Sequence, residues 1–174
     1  MKIGTKSVLF GVHQFLWHPL TVGVAWKRLY KVWPTWREWV CIFVHDLGYW
    51  GKPNIDGPEG RTHPLPGAIL AGKLLDKRGS CAGTYHNLTL FHSREYAKMC
   101  HEEPSLLCWA DKYCVTVEPR WFYLFRARLS GEVQEFRSHA PVPVRNQTFE
   151  QWAAWYEKKV INLPEIREIL ENCH

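Results

Sequence analysis

The run Val40-Cys41-Ile42-Phe43-Val44-His45-Asp46-Leu47-Gly48 carries an apolar stretch into an adjacent imidazole and carboxylate. Ionisable groups are rarely buried unless they are paired or bound to a metal, because desolvating them is costly. A fold that buries this run must therefore bring partners for His45 and Asp46 to the same place. Neighbouring residues on a helix point about 100° apart, so both can grip one ion only where the helix ends. Gly48 marks such an end. The pair points to a metal held where a buried helix stops.

Helical periodicity supplies the frame around it. His18, Val22, Ala25 and Leu29 form one stripe of a helix beginning near Pro19, and Pro34 stops it. Thr35 and Glu38 make a capping-box pattern that starts the next helix, Trp36 to about Leu47. A turn-rich loop follows, Gly51 to Gly60. Further helices are expected over Pro64–Lys77, Thr84 to about His92, Pro104 through Tyr113, and Arg120–Leu129. Ala140-Pro141-Val142-Pro143-Val144 reads as a connector. Thr148 and Gln151 then cap a helix to about Val160, and Leu163–Asn172 closes the chain. No strand pair or internal repeat is evident. The expected fold is all-α: one helical domain over residues 1–139, with residues 140–174 a helical extension packed on it.

At 174 residues, with 46% hydrophobic and 22% charged, the chain suits one globular domain with a real core. A net charge of +5 without a dense basic block favours an anionic small molecule and argues against a nucleic-acid polymer. The ten tryptophans are read as packing and surface cover rather than base stacking, and they are compatible with a homo-oligomer. The six cysteines contain no CxxC pair, and His13 and Gln14 break the apolar character of the first sixteen residues. Reduced thiols, no secretory leader and a cytoplasmic location are the expectation. No run approaches the length needed to span a bilayer.

A lone histidine is more often structural than a ligand, but several here sit at helix ends: His18, His45, His63 ahead of Pro64, and His92 ahead of Ser93-Arg94. Asp111 interrupts the apolar run Leu106-Leu107-Cys108-Trp109-Ala110, where an unpaired carboxylate is expensive and needs a cation. The ordered set His18, His45-Asp46 and Asp111, with the texts His18-Pro-Leu-Thr-Val-Gly-Val-Ala and Ala110-Asp111-Lys112, resembles the HD-domain metal-dependent phosphohydrolases over residues 16–120. His63-Pro64-Leu65-Pro66-Gly67-Ala68 resembles the start of a further ligand-bearing helix in the binuclear branch. His92-Ser93, Ser105 to Lys112, and Glu118-Pro119-Arg120 resemble the bacterial diadenosine tetraphosphate hydrolase-like members. The resemblance favours His92 over His86 as the fourth histidine, with His86 kept as the alternative ligand. The Gly-Tyr-Pro segment of cyclic-di-GMP-specific relatives is missing; Gly48-Tyr49-Trp50 stands there instead.

The resemblance implies an HD-domain helical bundle whose ligands are His18, His45, Asp46, His63, His92 and Asp111. They would hold one or two divalent ions (Mn, Fe, Co or Zn), with Asp46 as the bridge. It implies a hydrolase that cleaves a phosphoester or phosphoanhydride of a nucleotide-like substrate. Lys52, Arg94 and Lys112 are candidate phosphate binders, Arg94 the better fork. Specificity is expected in the Lys52–Thr62 loop and the C-terminal helices. Two rivals stand beside this reading: a mixed-valent di-iron oxygenase of the same superfamily acting on a small polar substrate, and a binding module with a structural metal. Trp17, Trp50 and Trp109 are read as wall packing, Asp56 and Glu59 as solvated turn residues, and His101, His139 and His174 as surface histidines. Cys108 is read as core, and Cys114 has no sequence neighbour that would make it a nucleophile.

Overall fold

A computed structural model describes residues 1–76 and 83–172. The fold is all-α, with no strand among the described residues. In chain order the helices are α1 (Ile3–Phe10), α2 (Trp17–Tyr30), α3 (Trp36–Val44), α4 (Pro64–Leu75), α5 (Thr84–Leu90), α6 (Arg94–Met99), α7 (Leu106–Tyr113), α8 (Arg120–Ser130), α9 (Glu132–Ser138), α10 (Val142–Arg145), α11 (Phe149–Ile161) and α12 (Pro164–Asn172). Short 3-10 turns cover Leu47–Tyr49, Gly60–Thr62 and Cys114–Thr116. No described helix is long and apolar enough to cross a membrane.

The core forms where α2, α3 and α7 bury Leu29, Ile42 and Leu107 together. The antiparallel pair α4–α5 packs beside α3, while α11 and α12 pack against α7, α8 and α2. Trp152 of α11 is nearly fully buried, so the C-terminal helices contribute to the same core.

Local chemistry explains most of the boundaries. Thr35 Oγ1 accepts from the Glu38 N–H and Glu38 returns the bond to Thr35, which fixes the start of α3. Thr148 and Gln151 do the same for α11. The α2 helix begins two residues before Pro19, because the Gln14 side chain accepts from the N–H groups of Leu16 and Trp17 and acts as the cap. The helix expected from Pro104 begins at Leu106 instead, with Ser105 as N-cap residue. The α3 helix stops at Val44 rather than near Leu47. His45 closes it in helical geometry, Asp46 leaves that geometry (φ −98°, ψ 1°), and a 3-10 turn follows. That change swings the two adjacent side chains toward one side. The expected connector at 140–144 contains one turn of helix, α10. Helices α1, α6 and α9 carry no strong periodic signal: α1 has no side-chain cap, and α6 and α9 are six and seven residues long. The expected end of α4 at Lys77 lies outside the described residues, as do Cys81, Cys173 and His174.

Two glycines set how closely the first half of the site closes. A Cβ on Gly67 would lie 2.3 Å from the Val44 carbonyl oxygen, and one on Gly48 only 1.9 Å from that of His63. The end of α3 and the start of α4 therefore touch backbone to backbone, which brings His63 beside His45 and Asp46. Backbone cannot yield as a flexible side chain can, so Gly67→Ala is expected to destabilise the protein by about 1–3 kcal/mol, the usual range for overpacking. Urea denaturation checks this; an unchanged midpoint contradicts the close approach.

Candidate metal centre

Five side chains converge on Asp46. On one side, Asp46 Oδ2 lies 3.1 Å from the Nε2 atoms of both His18 and His45. Asp111 Oδ1 lies 3.1 Å from His18 Nε2 and 3.8 Å from His45 Nε2. On the other side, Asp46 Oδ1 lies 3.4 Å from His92 Nε2 and 3.7 Å from His63 Nε2. His18, His45, Asp46 and Asp111 form one group able to hold a metal ion, and Asp46, His63 and His92 form a second. The four histidines and Asp46 are buried.

The helix ends aim these groups. His45 Nδ1 donates to the Ile42 carbonyl (2.6 Å), His63 Nδ1 to that of Gly60 (2.8 Å) and His92 Nδ1 to that of Thr89 (2.6 Å), each three residues back. A neutral imidazole that donates from Nδ1 keeps its lone pair on Nε2. In their neutral forms all three rings therefore present Nε2 lone pairs to the centre. His63 and His92 bring theirs to within 2.9 Å of each other, and Asp46 Oδ2 is buried without a hydrogen-bond partner. Converging acceptors repel unless a cation stands among them. The donor set, imidazole and carboxylate, suits a first-row divalent metal.

Electrostatics divides the two groups. Burial disfavours charge on His45, but Asp46 and Asp111 outweigh it and raise the imidazole to about 9. Burial likewise opposes charge on His18, yet Cys114, Asp111 and Asp46 hold it well above its ordinary value. His63 is pushed well below the usual imidazole range by burial and then by His92, and burial also lowers His92. Asp46 and Asp111 stay well below the carboxylate range: despite burial, His45 stabilises the charge of the first and His18 that of the second. The group around Asp111 could thus trade protons for a cation, whereas burial favours the neutral forms of His63 and His92.

A cavity of about 610 Å³ opens on the centre. Arg94 and Lys112 line it. The Arg94 guanidinium lies over the Trp109 ring at 5.8 Å, and no ion pair holds it among the described residues. Lys112 Nζ is 3.8 Å from Asp111 Oδ2; burial opposes its charge, but Tyr156 and Asp111 hold it well above the ordinary lysine value. Lys52 is turned instead to Thr62 Oγ1 (2.7 Å) and does not line the cavity, so the structure does not bring it to the centre. His86 stands apart from both ligand groups: its backbone N–H donates to Asp76, and its ring meets Asn87.

Other residues enter that sequence spacing did not single out. Arg61, Lys98 and Lys159 line the cavity, and Tyr49 stacks on His63 at 4.0 Å between ring centroids. The one available signal was on α11, where Trp152, Trp155, Tyr156 and Lys159 share a helical face. His13 lines the cavity beside His18 and Tyr49, with Nδ1 2.9 Å from the buried Glu132 carboxylate. Burial would raise Glu132, but hydrogen bonds and charge from His13, with bonds from Ser130 and Ser7, keep it below its ordinary value. Cys114 Sγ sits 3.8 Å from His18 Nδ1, yet burial raises its thiol, the opposite of nucleophile activation. Trp109 is core, whereas Trp17 donates from Nε1 to Glu118 at 2.8 Å. Asp56 and His139 are surface residues that pair at 3.5 Å on the cavity rim.

No family model, curated protein or solved structure matches this chain.

The imidazole shifts predict a pH dependence. His45 is raised from 6.5 to about 9 in the folded chain, so its charge stabilises the metal-free protein fully below pH 6.5, and that contribution is lost as pH rises toward 9. The contributions of His63 and His92, shifted the other way, are complete by about pH 7. Chelator-treated protein should therefore lose stability between pH 7 and 9, followed by denaturant midpoints. A midpoint that rises over this window contradicts the assignment.

Proposed function

We propose that this chain is a metal-dependent phosphohydrolase that cleaves a phosphoester or phosphoanhydride bond of a nucleotide-like substrate. The observation that carries the proposal is the convergence of imidazole lone pairs and carboxylate oxygens on both sides of Asp46, facing a cavity with cations on its wall. Divalent ions bound there would acidify a water and neutralise charge on phosphoryl oxygens. His18, His45 and Asp111 would hold the first ion, His63 and His92 the second, and Asp46 would join them. Arg94, without an ion pair among the described residues, suits two phosphoryl oxygens at once, and Lys112 adds a positive charge beside Asp111. Such a lining favours an anionic phosphorylated substrate over the small polar substrate of a di-iron oxygenase. The resemblance of the ligand texts to HD-domain phosphohydrolases supports the same reading.

A panel of dNTPs, monophosphates, dinucleoside polyphosphates and cyclic nucleotides, run with Mn, Fe, Co and Zn, tests it by phosphate release. Asp46→Ala and Asp111→Ala should abolish metal-dependent release while circular dichroism shows the helices intact. Arg94→Ala should raise KM by roughly tenfold or more, the scale of a lost hydrogen bond to a charged group. Full activity in either aspartate variant, or oxygen-dependent turnover with iron and none with manganese, overturns the reading.

A further inference from the structure

Aromatic and aliphatic side chains of the kind a core takes up stand in solvent along the outward side of α2 and α3. The two helices touch where a Cβ on Gly23 would lie 2.0 Å from the Trp39 ring. Trp39 in turn meets Phe43 at 6.0 Å between ring centroids. Beside that seam, Trp36, Val40 and Phe43 recur at i, i+4 and i+7 on α3, and Trp36 and Phe43 are exposed. Leu20 and Val24 begin the matching stripe of α2, with Leu20 exposed. Phe15, Pro19, Phe43 and Leu47 line one recess, so the two stripes are continuous at that end. At the other end the turn between the helices presents Val32, Trp33 and Trp36, which are 60%, 57% and 63% exposed. Apolar side chains gathered in this way mark an interaction surface rather than scattered exposure.

The same turn concentrates charge of one sign. Residues 1–45 carry six lysines and arginines against one acid, Glu38, a surplus equal to the +5 of the whole chain. Four of those cations, Lys27, Arg28, Lys31 and Arg37, lie within eleven residues of one another. Arg28 and Lys31 continue the α2 stripe beyond Val24, and both are exposed, as is Arg37. Arg37 stacks over the Trp36 ring at 4.8 Å and Lys27 donates to the Lys31 carbonyl, but none of the four has an acidic partner among the described residues. The carboxylate of Glu38 is committed to the Thr35 N–H.

We propose that this surface binds an anionic lipid membrane peripherally, with Val32, Trp33 and Trp36 entering the interface and Arg28, Lys31 and Arg37 meeting lipid phosphates. Tryptophan favours the headgroup level, where an indole meets hydrocarbon on one side and water on the other. Flanking lysine and arginine gain from the negative potential of the same layer. A lipid surface thus supplies hydrocarbon and phosphate side by side. A nucleic acid would satisfy the cations and the indole faces but leave Val32, Phe43 and Leu47 in water. A second copy of this chain would cover the aromatics while setting cation against cation. Such attachment lies in the plane of the interface, so it needs no spanning helix. It requires neither a bound metal nor the proposed hydrolysis.

The test is cosedimentation of the full chain with vesicles of phosphatidylcholine alone, and with vesicles of roughly two parts phosphatidylcholine to one of phosphatidylserine. Wild-type protein should pellet with the mixed vesicles only, and added sodium chloride should release it. Arg28→Gln, Lys31→Gln and Arg37→Gln combined should lower the partition coefficient roughly 100-fold, the product of three headgroup contacts. Trp33→Ser with Trp36→Ser should lower it roughly tenfold or more at unchanged charge. Circular dichroism should show wild-type helix content in both variants; should Trp36→Ser disturb the start of α3, Trp33→Ser alone supplies the aromatic arm. Wild-type protein left in the supernatant, equal binding to both kinds of vesicle, or binding that survives both sets of substitutions overturns the proposal. Tighter binding to an oligonucleotide than to mixed vesicles, or a dimer in solution that the tryptophan substitutions dissociate, overturns it equally and names a different occupant.

Discussion

The structure depends on the cost of burying charge. Asp46 and Asp111 lie among apolar helices, and a buried carboxylate without a partner is penalised by several kcal/mol. The fold answers by bringing four imidazoles from four separate stretches of chain to Asp46, His45 from its own. Each of these stretches is a helix end, where side chains can turn inward, and at His45, His63 and His92 the backbone offers a carbonyl to the ring Nδ1. The bundle is organised about that requirement as much as about its apolar core. The backbone contacts at Gly48 and Gly67 belong to it, since any wider spacing of α3 and α4 would carry His63 away from Asp46.

The same geometry makes the centre asymmetric. Around Asp111, two carboxylates hold two imidazoles in their charged forms, so a cation entering there displaces protons. Around His63 and His92, burial has already removed the charge. The first group offers four side chains and the second three, with Asp46 common to both. The cavity cations stand outside both groups, on α6, α7, α11 and the 3-10 turn Gly60–Thr62.

Much of this was legible in the sequence because its signals are local. His45-Asp46 interrupts an apolar run, His63 precedes a proline that starts a helix, and Asp111 stands alone among large apolar residues. Both capping boxes are written within four residues and set the starts of α3 and α11. The parts that escaped are those assembled across the chain. Glu132 and His13 are 119 residues apart, and nothing beside either names the other. Arg61 and Lys159 resemble ordinary solvated charges until α4 and α11 are placed. Lys52 and His86 show the converse: each is near a ligand in sequence, yet Thr62 holds the first, and Asp76 and Asn87 hold the second. Helices α6 and α9 are too short for periodicity to register, and their starts depend on the Ser93 cap and on Gly131 with its φ of 90°.

The central claim is that Asp46 bridges two cations. Anomalous diffraction from crystals grown with manganese addresses it most directly. The account predicts two peaks separated by about 3.5–4 Å, the spacing of two-metal sites, with one oxygen of Asp46 on each. One peak would lie among His18, His45 and Asp111, and the other between His63 and His92. No peak beside Asp46, or a single peak served by all six side chains, would contradict it.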